Sequence, residues 1–193
     1  MVSVFAGLFI GLAAIVNLSV GGGVIGALLF SFGLLSILLF KLELFTGQAG
    51  KLATGEIHPW KLTKVWLGNL LGTLVASLFI INNPAALDGA RAIMEQRFAI
   101  HPVYIFLLAI PCGLLMFTAV DAWKESASIV LTIFPVAVFI LSGYCHCVAD
   151  MAYMWMGCYN LSDFGLALPR LIAATAGNII GCNIIPYCLQ VTK

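Results

Sequence analysis

Six long apolar stretches decide what this chain can fold into. They fall at residues 2–18, 22–40, 62–81, 102–120, 127–144 and 168–189 and take up most of the sequence. A helix that crosses the hydrocarbon core of a bilayer needs about 20 predominantly apolar residues. The stretches therefore predict an all-α membrane protein with six transmembrane helices. They form a single transmembrane domain, residues 1–193, because the connecting segments are too short to fold separately.

The scarcity of charged residues supports this prediction. Only 9% of the 193 residues are charged and 62% are apolar, whereas about 25% of the residues in a soluble domain carry charge. Nine Lys and Arg residues against eight Asp and Glu residues leave a net charge of +1. The chain therefore lacks the charge needed for a water-facing surface or a basic nucleic-acid-binding patch. We expect the lipid bilayer as its surroundings and no nucleic-acid partner.

Lysines concentrate in one connecting segment. Lys51, Lys61 and Lys64 outnumber Glu56 between the second and third stretches, whereas the segment between the third and fourth stretches is balanced. Cytoplasmic loops carry the excess of Lys and Arg in multi-pass membrane proteins. The pattern predicts a protein of the cytoplasmic membrane with the lysine-rich segment and both termini, including Lys193, in the cytoplasm.

An internal repeat relates the third and sixth stretches. Gly68-Asn69-Leu70-Leu71-Gly72 and Gly177-Asn178-Ile179-Ile180-Gly181 share a pattern of Gly, Asn, two apolar residues and Gly. Glycines four residues apart lie on one helix face and let a neighbouring helix approach closely. Three spans in each half must run in opposite directions across the bilayer. The pattern therefore predicts two inverted three-helix repeats, residues 1–85 and 98–190 approximately, with a pathway between them.

The second and fifth stretches carry candidate breaks at matching places. Segment 41–51 mixes charged, polar and small residues with three large apolar ones, and Gly143 interrupts the fifth stretch before a short apolar segment that contains His146 and Asp150. Irregular backbone at membrane depth survives only where protein or a water-filled cavity satisfies its polar groups. The segments around Thr46 and Gly143 are therefore expected to line a pathway.

Ionisable side chains near the two breaks are candidates for function. His146 lies in a predicted membrane segment, where such a group is costly and usually functional, and imidazole exchanges protons near neutral pH. The alternative is a histidine that only hydrogen-bonds the broken backbone. Lys41 and Asp150 carry opposite charges, and we expect a salt bridge between them. Glu43 is the rival partner, and snorkelling of Lys41 to the interface is a further alternative.

The order of five motifs resembles that of the formate/nitrite transporter family, which includes formate, nitrite and hydrosulfide channels. The motifs are Glu43-Leu44-Phe45-Thr46-Gly47, Gly68-Asn69-Leu70-Leu71-Gly72, Phe134-Pro135-Val136-Ala137-Val138-Phe139, Ser142-Gly143-Tyr144-Cys145-His146 and Gly177-Asn178-Ile179-Ile180-Gly181. The resemblance implies an aquaporin-like protomer with broken second and fifth helices, a homopentamer with one pore per protomer, and a small monovalent anion as substrate. We expect no cofactor and no metal site.

The resemblance also implies roles for single residues. Thr46 and His146 match the family's central polar pair, and Asn178 matches a polar position on the sixth helix. Arg97 aligns with a lysine that draws anions toward the mouth. The positions that match the two apolar pore constrictions are Phe30, Leu34, Phe45, Met116 and Phe139.

The chain departs from the family at several positions. Lys41 stands where the family has Gly, and Asp150 stands where it has Asn. The run Gly113-Leu114-Leu115-Met116-Phe117 replaces an Asn-containing run on the fourth helix. The sequence is therefore expected to represent a short, divergent member.

Desolvation limits how a small anion can cross an apolar slit, because removing the charge from water costs several kcal/mol or more. We expect a wide mouth that gathers anions with Arg97 or Lys124 and a slit that passes the neutral acid, with His146 or water supplying the proton. A non-conducting membrane scaffold is one alternative. The other is a membrane-embedded enzyme that uses His146 and Asp150 as base and orienter; since no nucleophile motif accompanies them, an enzyme is not expected.

Overall fold

Local sequence signals set where several helices begin. His58, Asn83 and His101 each precede a proline, and each side chain accepts a hydrogen bond from a first-turn backbone N–H at 3.2, 3.1 and 3.3 Å, respectively. Proline suits the first helical position because its fixed φ matches the helix and its missing N–H would have no helical partner. These three capped starts define where helices begin at points that the apolar pattern alone does not locate.

The computed structural model describes residues 1–191, so Lys193 lies outside the described residues. Within them the chain is helical, with short connections and no strand. The helices are α1 Val2–Ser19, α2 Gly23–Leu39, α3 Phe45–Ala49, α4 Pro59–Ser77, α5 Pro84–Ala99, α6 Pro102–Ser126, α7 Ile129–Leu141, α8 Cys147–Gly157 and α9 Leu161–Val191, and a 3₁₀ turn, Leu78–Ile80, extends α4.

Four of the described helices are long and apolar enough to cross a membrane by length and composition, namely α1, α4 with its 3₁₀ turn, α6 and α9. Helices α2 and α7 are shorter but also apolar. Large side chains such as Ile25, Phe32, Phe134 and Ile172 stay exposed. Such a continuous apolar exterior suits lipid and not water. The segment between the third and fourth stretches, read as a connecting loop, is instead helix α5.

Helices α2 and α7 each stop at a residue with a positive φ and are followed by a short helix. Lys41 after α2 has φ 53°, and Gly143 after α7 has φ 69°. The N–H groups of Leu42 and Tyr144, which follow them, donate back to carbonyls at the ends of the two helices at 2.8 and 3.0 Å. The two breaks therefore share one termination geometry, which favours glycine because a Cβ is strained in the left-handed region.

The same close helix crossing occurs in each half of the chain. Gly7 and Gly72 lie where α1 crosses α4, and Gly113 and Gly181 lie where α6 crosses α9; a Cβ at any of them would overlap backbone atoms of the facing helix. Small residues let membrane helices pack at backbone contact. These crossings bring the asparagines of α4 and α9 next to the two breaks.

We predict that Lys41→Gly raises the free energy of unfolding by about 1 kcal/mol, because glycine removes the strain of a left-handed residue. Gly143→Ala should lower it by a similar amount, since no atom of the described residues lies within 4 Å of an added Cβ and only the backbone cost remains. Thermal unfolding in detergent measures both changes.

Lys41→Ala is the matched control for this pair. It removes the lysine charge but keeps a Cβ, so it should not give the gain of the glycine variant. Equal stability of the Gly and Ala variants would show that the left-handed backbone at residue 41 carries no cost.

Candidate functional site

The first break is tied to α4 by one buried amide. Asn69 Oδ1 accepts a hydrogen bond from the N–H of Phe45 at 2.8 Å, and its Nδ2 donates to the carbonyls of Ser3 at 2.7 Å and Glu43 at 3.0 Å. The side chain has no solvent exposure. Asn69 therefore provides hydrogen-bond partners for a backbone N–H at the start of α3 and for a carbonyl in the segment before it, since buried backbone groups need such partners.

The second break is tied to α9 in the same way. Asn178 Oδ1 accepts a hydrogen bond from the N–H of Cys147 at 2.8 Å, and its Nδ2 donates to the carbonyls of Ala109 at 2.8 Å and Cys145 at 2.9 Å. The asparagine of each repeated motif thus stabilises the start of one short helix. Asn178 supports the site through backbone contacts and does not line either of the cavities described below.

The two short helices bring Thr46 and His146 together. Thr46 Oγ1 lies 3.1 Å from His146 Nε2, and both residues are buried. His146 also caps α8, because its Nδ1 accepts a hydrogen bond from the N–H of Ala149 at 3.1 Å. With Nδ1 used as an acceptor, the neutral ring carries its proton on Nε2 and donates it to the Thr46 hydroxyl.

That arrangement leaves the Thr46 hydroxyl hydrogen available. No other partner for it is found within residues 1–191. The backbone carbonyl of Thr46 accepts a hydrogen bond from Cys182 Sγ at 3.3 Å, so the residue is also held from α9. The pair can offer one O–H donor to a small polar molecule beside it, with an imidazole behind that donor.

Apolar rings cover the histidine. Phe139 stacks on His146 with ring centroids 5.3 Å apart and an interplanar angle of 25°. Phe30 meets Phe139 edge-on at 5.9 Å and 88°, and both rings are at most 3% exposed. The imidazole therefore lies in a low-dielectric setting next to aromatic surface, where an unpaired ion is strongly disfavoured.

A cavity of about 490 Å³, which we call the lysine vestibule, opens on one side of this cluster. It lies at the last turns of α2 and α6, and Leu34, Leu44 and Val120 line it together with polar groups. Lys41, Lys51 and Lys124 also line it. Lys124, expected to gather anions, therefore does stand in a vestibule.

A smaller cavity of about 130 Å³, which we call the arginine vestibule, lies on the other side. It is lined by the end of α7, by α8 and by Arg97 of α5, and it reaches Phe139 and His146. The lysine vestibule lies at the end of α6, directly before α7 begins, whereas Phe139 near the end of α7 lines the arginine vestibule. The two cavities therefore open at opposite ends of α7. Phe30 and Thr46 stand between them.

Asp150 pairs with Arg97 in the arginine vestibule. Arg97 Nε lies 3.4 Å from Asp150 Oδ1, and the two side chains are only 13% and 10% exposed. Arg97 Nη1 also donates to the carbonyl of Gly143 at 3.4 Å. This pair therefore ties α5 to the break between α7 and α8.

The predicted Lys41–Asp150 salt bridge is wrong. Lys41 lines the lysine vestibule and Asp150 lines the arginine vestibule, so the buried core of the protein separates them. The rival partner Glu43 pairs with Lys61 at 3.2 Å instead. Lys41 itself is exposed and lines the lysine vestibule.

The other candidate residues fall at different depths. Leu34 lines the lysine vestibule, Phe139 lines the arginine vestibule, and Phe30 packs against Phe139. Met116 is buried on α6. Phe45, however, lies against a side groove that Trp66 and Thr175 also line, so its side chain faces α4 and α9 and not either vestibule.

Sequence reasoning missed three residues of the site. Leu44, one residue before Phe45, is 2% exposed and lines the lysine vestibule. Asn17 and Tyr153 line the arginine vestibule. The signal for Leu44 was present in the first motif, but the residue that faces the cavity depends on where α3 begins. Asn17 was visible as an amide near the end of an apolar helix.

His146 and Asp150 do not form the base-and-orienter pair of the enzyme alternative. Nδ1 of the ring accepts from Ala149 and Nε2 contacts Thr46, while the Asp150 carboxylate faces Arg97. Neither ring nitrogen is therefore oriented by the carboxylate.

Comparison with known proteins gives consistent matches. The family model for formate/nitrite transporters matches residues 1–191. The formate channel FocA of Haemophilus influenzae is 26% identical over 198 residues, which cover 81% of this chain and 69% of that protein. The nitrite transporter NirC of Salmonella typhimurium is 27% identical over 216 residues, which cover 92% and 76%.

A solved structure shows the same fold. The pentameric formate channel with formate bound matches with a TM-score of 0.79 at 23% identity, covering 100% of this chain and 96% of that chain. This likeness shows that the all-helical arrangement described above is shared with that structure.

We predict that Asn178→Ala lowers the free energy of unfolding in detergent by about 3 kcal/mol or more, because it leaves the N–H of Cys147 and the carbonyl of Cys145 buried without a partner. Gln190→Ala, an exposed change near the end of the same helix, should have almost no effect. Equal losses in the two variants would contradict the role of the amide at the break.

Proposed function

The chain belongs to the formate/nitrite transporter family, as its five motifs predicted, and from that premise we propose that it conducts a small monovalent anion or its neutral acid across the cytoplasmic membrane. Formate, nitrite and hydrosulfide are the substrate class. The observation that carries the proposal is the buried Thr46–His146 contact between two vestibules. The relatives named above are channels and transporters, which supports a function other than catalysis.

In the proposed architecture residues 1–193 form one aquaporin-like channel domain. Residues 1–85 and 98–190 approximately form two inverted repeats, and their second helices, α2 with α3 and α7 with α8, are the broken ones. The equivalent hydrogen bonds of Asn69 and Asn178 support this assignment. Three spans per repeat reverse the direction of the second copy.

The lysine vestibule faces the cytoplasm in this proposal, and so do both termini. Lys51, Lys61 and Lys64 lie at this end of the helices, and the cytoplasmic side of a membrane protein carries the excess of basic residues. The arginine vestibule then faces the other side. The solved relative is pentameric by its description, and we propose that this chain is a homopentamer with one pore per protomer.

The barrier between the vestibules is apolar. In this proposal Leu34 and Leu44, which line the lysine vestibule, form the constriction at one end. Phe30 and Phe139, whose rings pack edge-on, form the constriction at the other. Moving an anion through this segment costs several kcal/mol or more, whereas a neutral acid loses only the hydrogen bonds of its polar groups. Permeation of the neutral acid is therefore favoured, with Lys124 and Arg97 placed at the two mouths.

The Thr46–His146 pair supplies the proton in this mechanism. The ring takes a proton on Nδ1 from water in the arginine vestibule, which His146 lines, and releases the proton on Nε2 to the Thr46 hydroxyl. The hydroxyl passes its own hydrogen to the anion beside it. Protonation of Nδ1 breaks the hydrogen bond from Ala149, so the charged ring is transient. After the transfer the neutral ring holds its proton on Nδ1. Once the neutral acid has left, Nδ1 returns that proton to water in the arginine vestibule and Nε2 takes one from water by way of the Thr46 hydroxyl, which restores the starting tautomer.

We predict that uptake of labelled formate into proteoliposomes rises as the outside pH falls from about 7.5 to 5.5. As long as the pH is above the pKa of a carboxylic acid, its neutral fraction increases about tenfold for each unit by which the pH falls. Initial rates against empty liposomes measure the effect. Uptake that is independent of pH would contradict proton-linked permeation, and uptake no faster than in empty liposomes would favour the non-conducting scaffold.

We predict that His146→Asn reduces the acid-stimulated uptake by about a hundredfold, the low end for removal of a positioned proton-transfer group. Asparagine is a good N-cap, so this variant keeps a cap for α8 and removes only the imidazole. Thr46→Val should cause a similar loss, and Thr46→Ser should retain most of the uptake.

Folding is checked by thermal unfolding of the same preparations. Unchanged uptake by His146→Asn at every pH would remove the histidine from the mechanism. Equal rates for the Val and Ser variants would do the same for the Thr46 hydroxyl.

A further inference from the structure

The two vestibules differ in net charge. Lys41, Lys51 and Lys124 line the lysine vestibule, and no carboxylate is among the described residues that line it. Glu56, Asp121 and Glu125 face a neighbouring groove of about 340 Å³ that Lys51 and Lys124 also border. The charged residues that line the arginine vestibule are Arg97 and Asp150. The charged residues that line the lysine vestibule are therefore all positive, whereas those that line the arginine vestibule balance.

The charge balance in the arginine vestibule depends on Asp150. Both partners of the pair are about nine-tenths buried, and opposite charges in such surroundings are screened little by salt. Arg97 is also fixed by the carbonyl of Gly143, so it cannot swing away from Asp150 to meet an anion without losing both contacts. An entering anion would meet a dipole instead of a free cation.

We propose that Asp150 determines the sidedness of anion capture by neutralising Arg97, so that anions are concentrated at the lysine vestibule and not at the arginine vestibule. The inference rests on the proposed function for the identity of the anion. It refines the role expected of Arg97, since that residue attracts anions only to the extent that Asp150 does not compensate it.

Asp150→Asn is the informative variant. The amide keeps the size of the side chain and an oxygen that accepts the hydrogen bond from Arg97 Nε, but it removes the negative charge. Glu95→Gln is the matched control, because Glu95 pairs with Arg91 at 3.3 Å on the same helix as Arg97 and both side chains are more than half exposed. This variant removes the carboxylate partner of Arg91, which does not line the arginine vestibule.

The first measurement needs no transport. Gln96 lines the arginine vestibule and Gln48 lines the lysine vestibule. Gln96→Cys and Gln48→Cys are made separately in a Cys188→Ser background, since the other cysteines are buried. Each protein is treated in detergent with an anionic and a cationic methanethiosulfonate reagent of similar size, and the ratio of the two rates reports the local potential.

We expect the ratio of anionic to cationic rates to be at least about threefold higher at Gln48→Cys than at Gln96→Cys. Asp150→Asn should raise the ratio at Gln96→Cys by at least about threefold and leave that at Gln48→Cys unchanged. Glu95→Gln should change neither ratio. Equal ratios at the two mouths, or an unchanged ratio at Gln96→Cys after Asp150→Asn, would overturn the proposal.

The second measurement uses formate uptake into proteoliposomes of assigned orientation at low ionic strength. Asp150→Asn should lower the half-saturating formate concentration by at least about threefold at the arginine face only, and about 0.3 M of an inert salt should abolish the difference. An equal change at both faces would overturn the proposal. If the unchanged protein takes up no formate, the proposed function fails, while the thiol reaction rates still decide the charge assignment.

Discussion

Unpaired backbone groups at the two helix breaks are the constraint on which the rest of the structure depends. In lipid there is no water to satisfy an N–H or a C=O, so a helix can stop at membrane depth only where a side chain replaces the missing partners. Asn69 and Asn178 do this at α3 and α8. Glycines at the helix crossings let α4 and α9 pack closely enough for their asparagines to reach the breaks. The short helices so positioned bring Thr46 and His146 into contact.

The two ring nitrogens of His146 face different groups, which ties the proposed proton transfer to the structural role of the ring. Nδ1 accepts from the first turn of α8, which fixes the ring orientation, and Nε2 meets Thr46. The stacked Phe139 excludes water from one face of the ring. A neutral imidazole is stable in this setting and a persistent imidazolium is not, since it would lose the cap and remain poorly solvated. The same contacts that hold the fold therefore make any charge on the ring short-lived.

The apolar lengths were enough to locate the long helices, and the repeated Gly-Asn motif identified the helix contacts next to the breaks. Other features depend on contacts that no local pattern encodes. Helix α5 carries balanced charge and too few apolar residues to register as a span, so Arg97 was placed in a loop, and its pairing with Asp150 across 53 residues was missed. Similarly, the family resemblance placed Phe45 at a pore constriction, but the motif alone does not fix where α3 begins. The structure begins α3 at Phe45 and turns Leu44 toward the cavity.

Lys41 and Asp150 gain a common explanation once they are assigned to separate vestibules. Lys41 adopts a left-handed conformation that glycine would adopt without strain, as Gly143 does at the equivalent break; its side chain adds a positive charge to the wide mouth. Asp150 adds a negative charge at the narrow mouth, where it meets Arg97. Glycine at position 41 would avoid the strain of the left-handed backbone, but the chain has lysine there. A neutral residue at position 150 would leave the charge of Arg97 uncompensated, but the chain has aspartate there. Together they give the linings of the two vestibules different charges although the two breaks share one termination geometry, so this asymmetry resides in side chains and not in the backbone of the breaks.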